Sequence, residues 1–263
     1  MTAHYDNLVA ETRDAVLWLR INRTNSRNSL SKATLAELGG ACAAVASQPA
    51  LKAVVVTGEG QDAFASGGDL KEFGAVRTQE QVSELFDLAC GALDEIRRCS
   101  IPVVACLNGV ALGGGAELAL ACDFRVAARH AAIGYVQARL SISSGFGGGA
   151  DLMRLLGPSR ALRHALTAEP LSSTAAYALG LVDEVADEGE TAEHRVARFL
   201  SPLLRQTPLV IRAYKAMAIA ERLGDPMPDR RAVERGWFCR TWTHDDHWLA
   251  VDKLTRRLRE KAK

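Results

Sequence analysis

The amino-acid sequence predicts an α/β fold that ends in a helical region. Over residues 13–136, strand patterns alternate with helix patterns. The predicted strands are short apolar runs rich in β-branched residues, which is typical of a parallel sheet buried on both faces. From residue 159 onward the pattern is mostly helical, with one brief strand at 181–185. We therefore divide the chain into a core of residues 1–206 and a C-terminal helical region of residues 207–263.

The order of the elements follows from the spacing of the apolar residues. Residues 13–21 alternate between two faces, as in a strand that is partly buried on both sides. Ser31 can cap a helix over residues 31–47, and the run at 51–57 is typical of a buried strand. A longer helix follows over residues 78–98. The later elements are strands at 101–107, 124–128 and 132–136 and helices at 115–122, 208–223, 229–243 and 246–260.

The composition excludes several classes of protein. The chain has 263 residues, of which 48% are hydrophobic and 24% are charged, so it is not a disordered chain. Its 32 Lys and Arg residues nearly balance 31 Asp and Glu, and the formal net charge is +1. We therefore expect neither nucleic acid nor a membrane as a partner. The basic tail at 256–263 is interpreted as a solvated helix end.

The targeting and cysteine patterns of the sequence predict a cytoplasmic protein. No apolar run reaches the roughly 18 residues of a membrane helix. The N-terminal segment MTAHYDNLVAETRD has neither an apolar signal core nor an Arg-rich transit pattern. The six cysteines are scattered without a Cys-x-x-Cys pair, so we expect reduced core thiols rather than a metal site or a redox pair.

Three glycine-rich stretches lie at 66–69, 113–115 and 145–149. None is a P-loop, because no Gly-Lys-Ser/Thr sequence follows, and the third stretch lacks the flanking strands of a dinucleotide site. The middle stretch follows a buried strand and precedes a helix. A glycine amide at the positive N-terminus of that helix can approach an oxyanion. A tight strand-to-helix turn would give the same pattern.

Gly68 and Gly114 are the candidate amides of these stretches. The first stretch also follows a strand, so the amide of Gly68 could face that of Gly114. Two amides aimed at one oxygen would hold a carbonyl that becomes an enolate or a tetrahedral oxyanion. Each such donor is worth about 2.7–4 kcal/mol.

Four segments together resemble the crotonase superfamily, which includes the enoyl-coenzyme A (CoA) hydratases and isomerases. They are INRTNSRNSLS, VVVTGEGQDAFASGGDLKEF, IPVVACLNGVALGGGAELALACD and GPSRALRHALTAEPLSSTAAYALGLVDEV. The resemblance covers essentially the whole chain. It implies a crotonase-type spiral of ββα units closed by the C-terminal helical region, which assembles as a homotrimer or a dimer of trimers.

The resemblance also implies an acyl-CoA substrate. Gly68 and Gly114 would supply the two amides that hold the thioester oxygen. The entrance for the pantetheine and acyl groups would be lined by Ser66, Gly67, Gly68, Asp69, Leu70 and Lys71. The adenine would be bordered by Asn25, Ser26, Arg27 and Ser29. Arg27 is either a phosphate contact or a surface cation. The acyl pocket wall would include Phe73, Leu85, Phe86 and Phe146.

The catalytic positions match the family in part. Hydratases of the family carry two glutamates, and the first corresponds to Glu117, two residues after the triple glycine. A buried carboxylate in an apolar helix is costly unless it is functional. The position of the second glutamate holds Gln137, whose amide can orient water or substrate but cannot carry a proton. Tyr135 is either an acid or a packed aromatic residue, and packing is the favoured interpretation.

The sequence therefore predicts a hydratase-like enzyme in which Glu117 is the single acid–base group and Gln137 orients. The alternatives are a decarboxylase, an isomerase or a hydrolase of the same family, or a weakly active acyl-CoA binder. We expect no metal, flavin or nicotinamide cofactor, since CoA is part of the substrate. His244 and His247 are interpreted as a polar helix start rather than as a metal pair.

Overall fold

The computed structural model describes residues 5–261, so the first four residues of the N-terminal segment and the last two of the basic tail lie outside the described residues. In the described range the chain forms ten strands, eleven α-helices and three short 3₁₀ helices. The strands are β1 (Leu8–Arg13), β2 (Val16–Ile21), β3 (Ala53–Gly58), β4 (Ala63–Ala65), β5 (Val103–Leu107), β6 (Val110–Leu112), β7 (Phe124–Ala127), β8 (Ala132–Gly134), β9 (Leu171–Ser172) and β10 (Glu184–Val185). The helices are α1 (Lys32–Ala44), α2 (Leu70–Phe73), α3 (Gln79–Arg97), α4 (Gly114–Ala121), α5 (Gly148–Leu156), α6 (Pro158–Thr167), α7 (Ser173–Ala178), α8 (Ala192–Leu204), α9 (Pro208–Leu223), α10 (Met227–Trp242) and α11 (Asp245–Lys261).

Two sheets form the core. The larger sheet has the order β1-β2-β3-β5-β7-β10, and all of its neighbours are parallel except β1 and β2. The smaller sheet has the order β4-β6-β8-β9, with β8 and β9 antiparallel. Consecutive strands alternate between the sheets, since β3, β5 and β7 lie in the larger one and β4, β6 and β8 in the smaller one. This alternation is the spiral of ββα units that the family resemblance implies.

Burial explains why these segments form a parallel sheet. Every residue of β3 and of β5 is buried, because β4 of the smaller sheet packs against both strands and α8 packs against β5. Strands buried on two faces need a continuous apolar run rather than an alternating one. The Val-rich sequence of β3 and the IPVVACL segment around β5 both meet this requirement. The mixed α/β architecture and the C-terminal helices are therefore confirmed.

The strand predicted over residues 13–21 is wrong at its start. Asp14 and Ala15 have positive φ values of 49° and 64°, and they form the turn of a hairpin between β1 and β2. A two-residue turn of this kind matches the twist of the strands but usually contains Asn or Gly. β1 itself went unpredicted, because five of its six residues are exposed and it therefore has no apolar face.

Most helix predictions are confirmed within one or two residues. The Ser31 side chain accepts a hydrogen bond from the Thr34 N–H at 3.1 Å and caps α1. The predicted helix at 208–223 coincides with α9. The strand predicted at 181–185 shortens to β10. The division of the chain after residue 206 stays a prediction. Among residues 5–261 no helix has the length and apolar character needed to cross a membrane.

Buried ion pairs attach α9 to the core. Lys215 contacts both carboxylate oxygens of Asp123 at 2.6 Å. Arg222 contacts Asp151 at 2.7 Å and donates to the carbonyls of Leu120 and Ala121, at the C-terminal end of α4. Removal of the Asp123 carboxylate would leave the buried Lys215 charge uncompensated and cost about 3–5 kcal/mol. The C-terminal helices are thus coupled to the helix that begins at the glycine triplet.

Candidate active site

Two glycine loops meet at one edge of the smaller sheet. β4 and β6 are parallel neighbours, so the loops that follow them leave from the same edge. The contact is close, since a Cβ on Gly115 would lie 2.1 Å from the Ala65 carbonyl oxygen. A Cβ on Gly67 would lie 4.0 Å from the amide nitrogen of Gly114. The structure therefore brings together the two stretches that hold Gly68 and Gly114.

Gly68 and Gly114 present unused amides where these loops meet. The neighbouring amides are occupied, since the Gly113 N–H donates to Gly134 at 2.9 Å and the Asp69 N–H donates to Leu30 at 3.0 Å. Neither the Gly68 N–H nor the Gly114 N–H donates to a protein acceptor in the part of the chain that the structure describes. Gly114 also begins α4, whose N-terminus carries positive partial charge. The arrangement can bind a negatively charged oxygen.

Glu117 lies in the first turn of α4 and is 1% exposed. Its carboxylate accepts five hydrogen bonds. The donors to Oε1 are Gln137 Nε2 at 2.7 Å and the Gly145 N–H at 3.2 Å. The donors to Oε2 are the Ser144 hydroxyl and the Phe146 and Gly148 N–H groups, each at 2.8 Å. All five donors are neutral groups, and together they satisfy the hydrogen-bonding capacity of the buried carboxylate.

Gln137 is buried beside Glu117, on a 3₁₀ turn that follows β8. Its Nε2 donates to Glu117, which leaves Oε1 as the free end of the amide. Within the described residues this Oε1 has no hydrogen-bond partner. A reversed amide would place Oε1 against a carboxylate oxygen, so the donor to Glu117 is Nε2. An unpaired acceptor of this kind costs about 1–3 kcal/mol unless a ligand or a water donates to it.

Tyr135 supports the loop that surrounds Glu117. Its hydroxyl donates to the Gly148 carbonyl at 2.7 Å, and its ring packs edge-on against His164 with a centroid separation of 6.3 Å. Burial raises the pKa of Tyr135 well above its ordinary value, and the nearby Glu117 charge adds to this shift. The structure thus favours packing over an acid role for Tyr135. Burial also lowers the pKa of His164.

Asp69 holds the first glycine loop in place. Its carboxylate accepts from the Lys71 and Glu72 N–H groups at the start of α2 and pairs with Arg23 at 2.7 Å. The hydrogen bond from Arg23 is the largest of the effects that lower the pKa of Asp69. Asp69 is therefore occupied by the protein itself, next to the free amide of Gly68. Sequence reasoning missed Arg23, which lies 46 residues away in the chain.

The segments expected to contact CoA lie side by side. The Ser66 N–H donates to the Arg27 carbonyl at 3.1 Å, and the Ser66 hydroxyl donates to the Ser26 carbonyl at 3.3 Å. The exposed members of the two segments are Asn25, Arg27, Leu70 and Lys71, whereas Ser29, Gly67 and Asp69 are buried. The Arg27 side chain lines a cavity of about 460 Å³ together with Gln61, Asp62, Val110 and His130.

Phe73 and Phe146, both expected in the acyl pocket wall, lie at the candidate site. The rings of Phe73 and Phe146 meet edge to face, with centroids 6.4 Å apart. Phe86 is 43% exposed on α3.

At the start of α11, His244 Nδ1 lies 3.4 Å from Asp246. Among the described residues no three His, Cys, Asp or Glu side chains lie close enough to share a metal ion.

Comparisons with known proteins find similar sequences and structures. A family model described as "Enoyl-CoA hydratase/isomerase" matches residues 11–259. Crotonyl-CoA hydratase of Syntrophomonas wolfei is 35% identical over 219 residues, 81% of this chain and 82% of that protein. Human mitochondrial methylglutaconyl-CoA hydratase is 33% identical over 238 residues, 89% of this chain and 69% of that protein. The crystal structure of an enoyl-CoA hydratase from Bacillus anthracis has a TM-score of 0.88 and 29% identity, covering 96% of this chain and 97% of that one.

Proposed function

The chain belongs to the enoyl-CoA hydratase/isomerase family, and we propose that it adds water to a 2-enoyl-CoA thioester with Glu117 as its one acid–base carboxylate. The observation that carries this proposal is the unpaired Oε1 of Gln137, buried beside Glu117. A water molecule could donate to that oxygen. The printed names of the two relatives above, both hydratases, support the same reaction class.

The amides of Gly68 and Gly114 would bind the thioester oxygen. Both N–H groups lack a protein acceptor among the described residues, and Gly114 lies at the N-terminus of α4. When a nucleophile adds to C3 of the enoyl group, electrons move from the C2=C3 bond onto this oxygen. Donors already aimed at the developing enolate stabilise it by about 2.7–4 kcal/mol each.

One carboxylate suffices for the protons that move. The oxygen of water bonds to C3, and one of its protons passes to Glu117. Glu117 then delivers a proton to C2, which collapses the enolate to the 3-hydroxyacyl thioester. The second hydrogen of the water stays on the new hydroxyl group throughout and donates to Gln137 Oε1. The amide therefore needs only to accept a hydrogen bond, which is within its chemistry.

The water would approach Glu117 at Oε1. A carboxylate offers about four lone-pair directions, and five donors already occupy them. The longest of the five bonds is the 3.2 Å contact from the Gly145 N–H to Oε1, and it is the weakest of the set. Gln137 Nε2 donates to the same oxygen. A water that takes the place of the Gly145 N–H at Glu117 Oε1 would therefore also lie beside the Gln137 amide.

The charge of the site disfavours decarboxylation of a malonyl-type thioester. Such a substrate would bring a second carboxylate close to Glu117, whose five donors are all neutral. The nearby guanidinium of Arg97 is already paired with Asp151 at 2.8 Å. Like charges in a buried site repel each other strongly.

Two thioesters test the proposed reaction. Purified protein is incubated with crotonyl-CoA or with methylmalonyl-CoA, and the products are identified by mass spectrometry. We expect crotonyl-CoA to gain one water and methylmalonyl-CoA to stay unchanged. Loss of carbon dioxide from methylmalonyl-CoA with crotonyl-CoA untouched would instead assign a decarboxylase. Absence of turnover on both substrates would contradict the hydratase proposal and favour an acyl-CoA binder.

We further propose that the chain forms a homotrimer or a dimer of trimers through its C-terminal helices. These helices expose large apolar side chains, namely Tyr214, Phe238, Trp242, Trp248, Leu249, Leu254 and Leu258. A cavity of about 680 Å³ also lies between α9 and α10. Exposed apolar area of this extent is typical of an interface. Light scattering after gel filtration should give three or six times the mass of one chain, and the mass of a single chain would contradict the proposal.

A further inference from the structure

The ring of Phe146 lies directly against both candidate oxyanion glycines. A Cβ on Gly114 would lie 2.5 Å from Phe146 Cε2, and a Cβ on Gly68 would lie 3.3 Å from Phe146 Cζ. The Phe73 ring also lies close to this position, with its Cε2 atom 2.8 Å from the same Cβ on Gly68. Two aromatic rings thus occupy the space beside the amides that would hold the thioester oxygen.

The backbone holds Phe146 firmly in this position. Its N–H donates to Glu117 Oε2 at 2.8 Å, and two residues later the Gly148 N–H donates to the same oxygen at the same distance. The side chain is only 7% exposed and meets the ring of Phe73 edge to face at an interplanar angle of 80°. Moving the loop away would therefore remove donors from the buried carboxylate of Glu117. Such a displacement is costly.

We propose that Phe146, together with Phe73, closes the acyl pocket beside the thioester and restricts the substrate to short acyl chains. This inference rests on the proposed function. A thioester oxygen bound to both amides lies about 2.9 Å from each nitrogen. We infer that the first acyl carbons then contact the Phe146 ring, because this ring lies beside both glycines. A long chain could continue only by displacing that ring.

Chain-length selectivity measures this restriction. A pocket that is open to the chain gains affinity with each added methylene, by roughly 10-fold or more where the methylene is well packed. A pocket closed by a ring gains nothing from methylenes that it cannot enter. Selectivity for a short chain is therefore the expected property of the native chain, and loss of the ring should remove it.

Calorimetry separates this inference from the proposed reaction. It measures the binding of two unreactive saturated thioesters, butyryl-CoA and decanoyl-CoA. The native protein should bind decanoyl-CoA no more tightly than butyryl-CoA. Phe146→Ala should bind decanoyl-CoA at least about 10-fold more tightly than the native protein does. Phe146→Leu, which keeps more of the packing volume, should shift the preference in the same direction. Tyr177→Ala, which removes an exposed ring on α7, is the control and should behave like the native protein.

Two outcomes would overturn the inference. If native affinity rises steadily from butyryl-CoA to decanoyl-CoA, the ring does not close the pocket, and the hydratase proposal is untouched. If the native protein binds neither thioester, the proposed function fails together with the inference. The native measurement decides between these cases even if Phe146→Ala does not fold.

Discussion

Gly148→Ala tests how closely the loop around Glu117 must pack. Gly148 begins α5, and its N–H donates to Glu117 Oε2. A Cβ added at Gly148 would lie 2.6 Å from Glu117 Cβ, 2.7 Å from its Cγ and 2.8 Å from its Cα. These distances fall well below the 3.4 Å at which ordinary van der Waals contact begins. The atoms that clash belong to the base of a buried side chain and to a helix backbone, so α5 and α4 must separate.

The size of the effect follows from this overlap. Forcing an extra methyl group into a packed interior costs about 1–3 kcal/mol, which corresponds to a fall in Tm of very roughly 2–12 °C for a chain of this size. A shift of about 1 Å at the reacting groups costs about 10²-fold in turnover. We therefore expect Gly148→Ala to lose about two orders of magnitude in kcat, beyond what its stability loss alone explains.

The assay is hydration of crotonyl-CoA followed by the loss of enoyl-thioester absorbance, with Tm measured in parallel. Gly40→Ala is the matched control, because Gly40 lies in α1 and a Cβ there would meet nothing within 4 Å. Alanine is favoured over glycine within a helix by about 0.8–1.0 kcal/mol. The control should therefore keep its activity and melt slightly higher. Native kcat in Gly148→Ala would refute the packing argument.

Three further perturbations follow from the buried polar groups. Arg222→Gln should lower the free energy of unfolding in urea by about 1–3 kcal/mol. Asp151 keeps its pair with Arg97, but the Leu120 and Ala121 carbonyls lose their donor, and a loss under about 0.5 kcal/mol would contradict this. His164→Met should reduce the loss of folding stability at acid pH. Burial lowers the pKa of His164 in the folded state. Below about pH 6.5 the unfolded chain therefore binds a proton that the folded chain does not, and the native protein loses stability as the pH falls. An unchanged loss of stability between pH 7 and pH 5.5 in His164→Met would be inconsistent with this. Ser144→Ala removes one of the donors to Glu117. The loss should total about 1.5–3 kcal/mol, divided between folding stability, which Tm reports, and transition-state binding, which kcat/KM reports.

The local parts of the fold and of the site are readable from sequence. Gly114 and Glu117 are separated by less than one helical turn, so a strand, a glycine triplet and a helix place them together without long-range information. The fully apolar runs of β3 and β5 likewise predict buried strands. β1 could not be found in this way, because its pairing with β2 is determined by backbone hydrogen bonds and not by an apolar face.

The surroundings of Glu117 depend on contacts between distant segments. The Ser144 hydroxyl and three backbone amides reach it from positions 27–31 residues away, and amide donors carry no side-chain signature. The glycine cluster at 145–149 was the visible signal, since glycines permit the close approach that these amides need. The Arg23–Asp69 pair and the attachment of Arg222 to α4 also require the tertiary fold.

The most direct test of the account compares Glu117→Gln with Gln137→Leu in the hydration of crotonyl-CoA at saturating substrate. Glu117→Gln removes the only group proposed to move a proton, so kcat should fall by about 10²–10⁴. Gln137→Leu removes hydrogen bonds alone, one of them donated to the Glu117 carboxylate, so its loss should stay within about 10- to 100-fold, the equivalent of about 1.4–2.7 kcal/mol. Native kcat in Glu117→Gln, or an equal collapse of both variants, would contradict a mechanism in which one carboxylate carries the proton and the amide only orients.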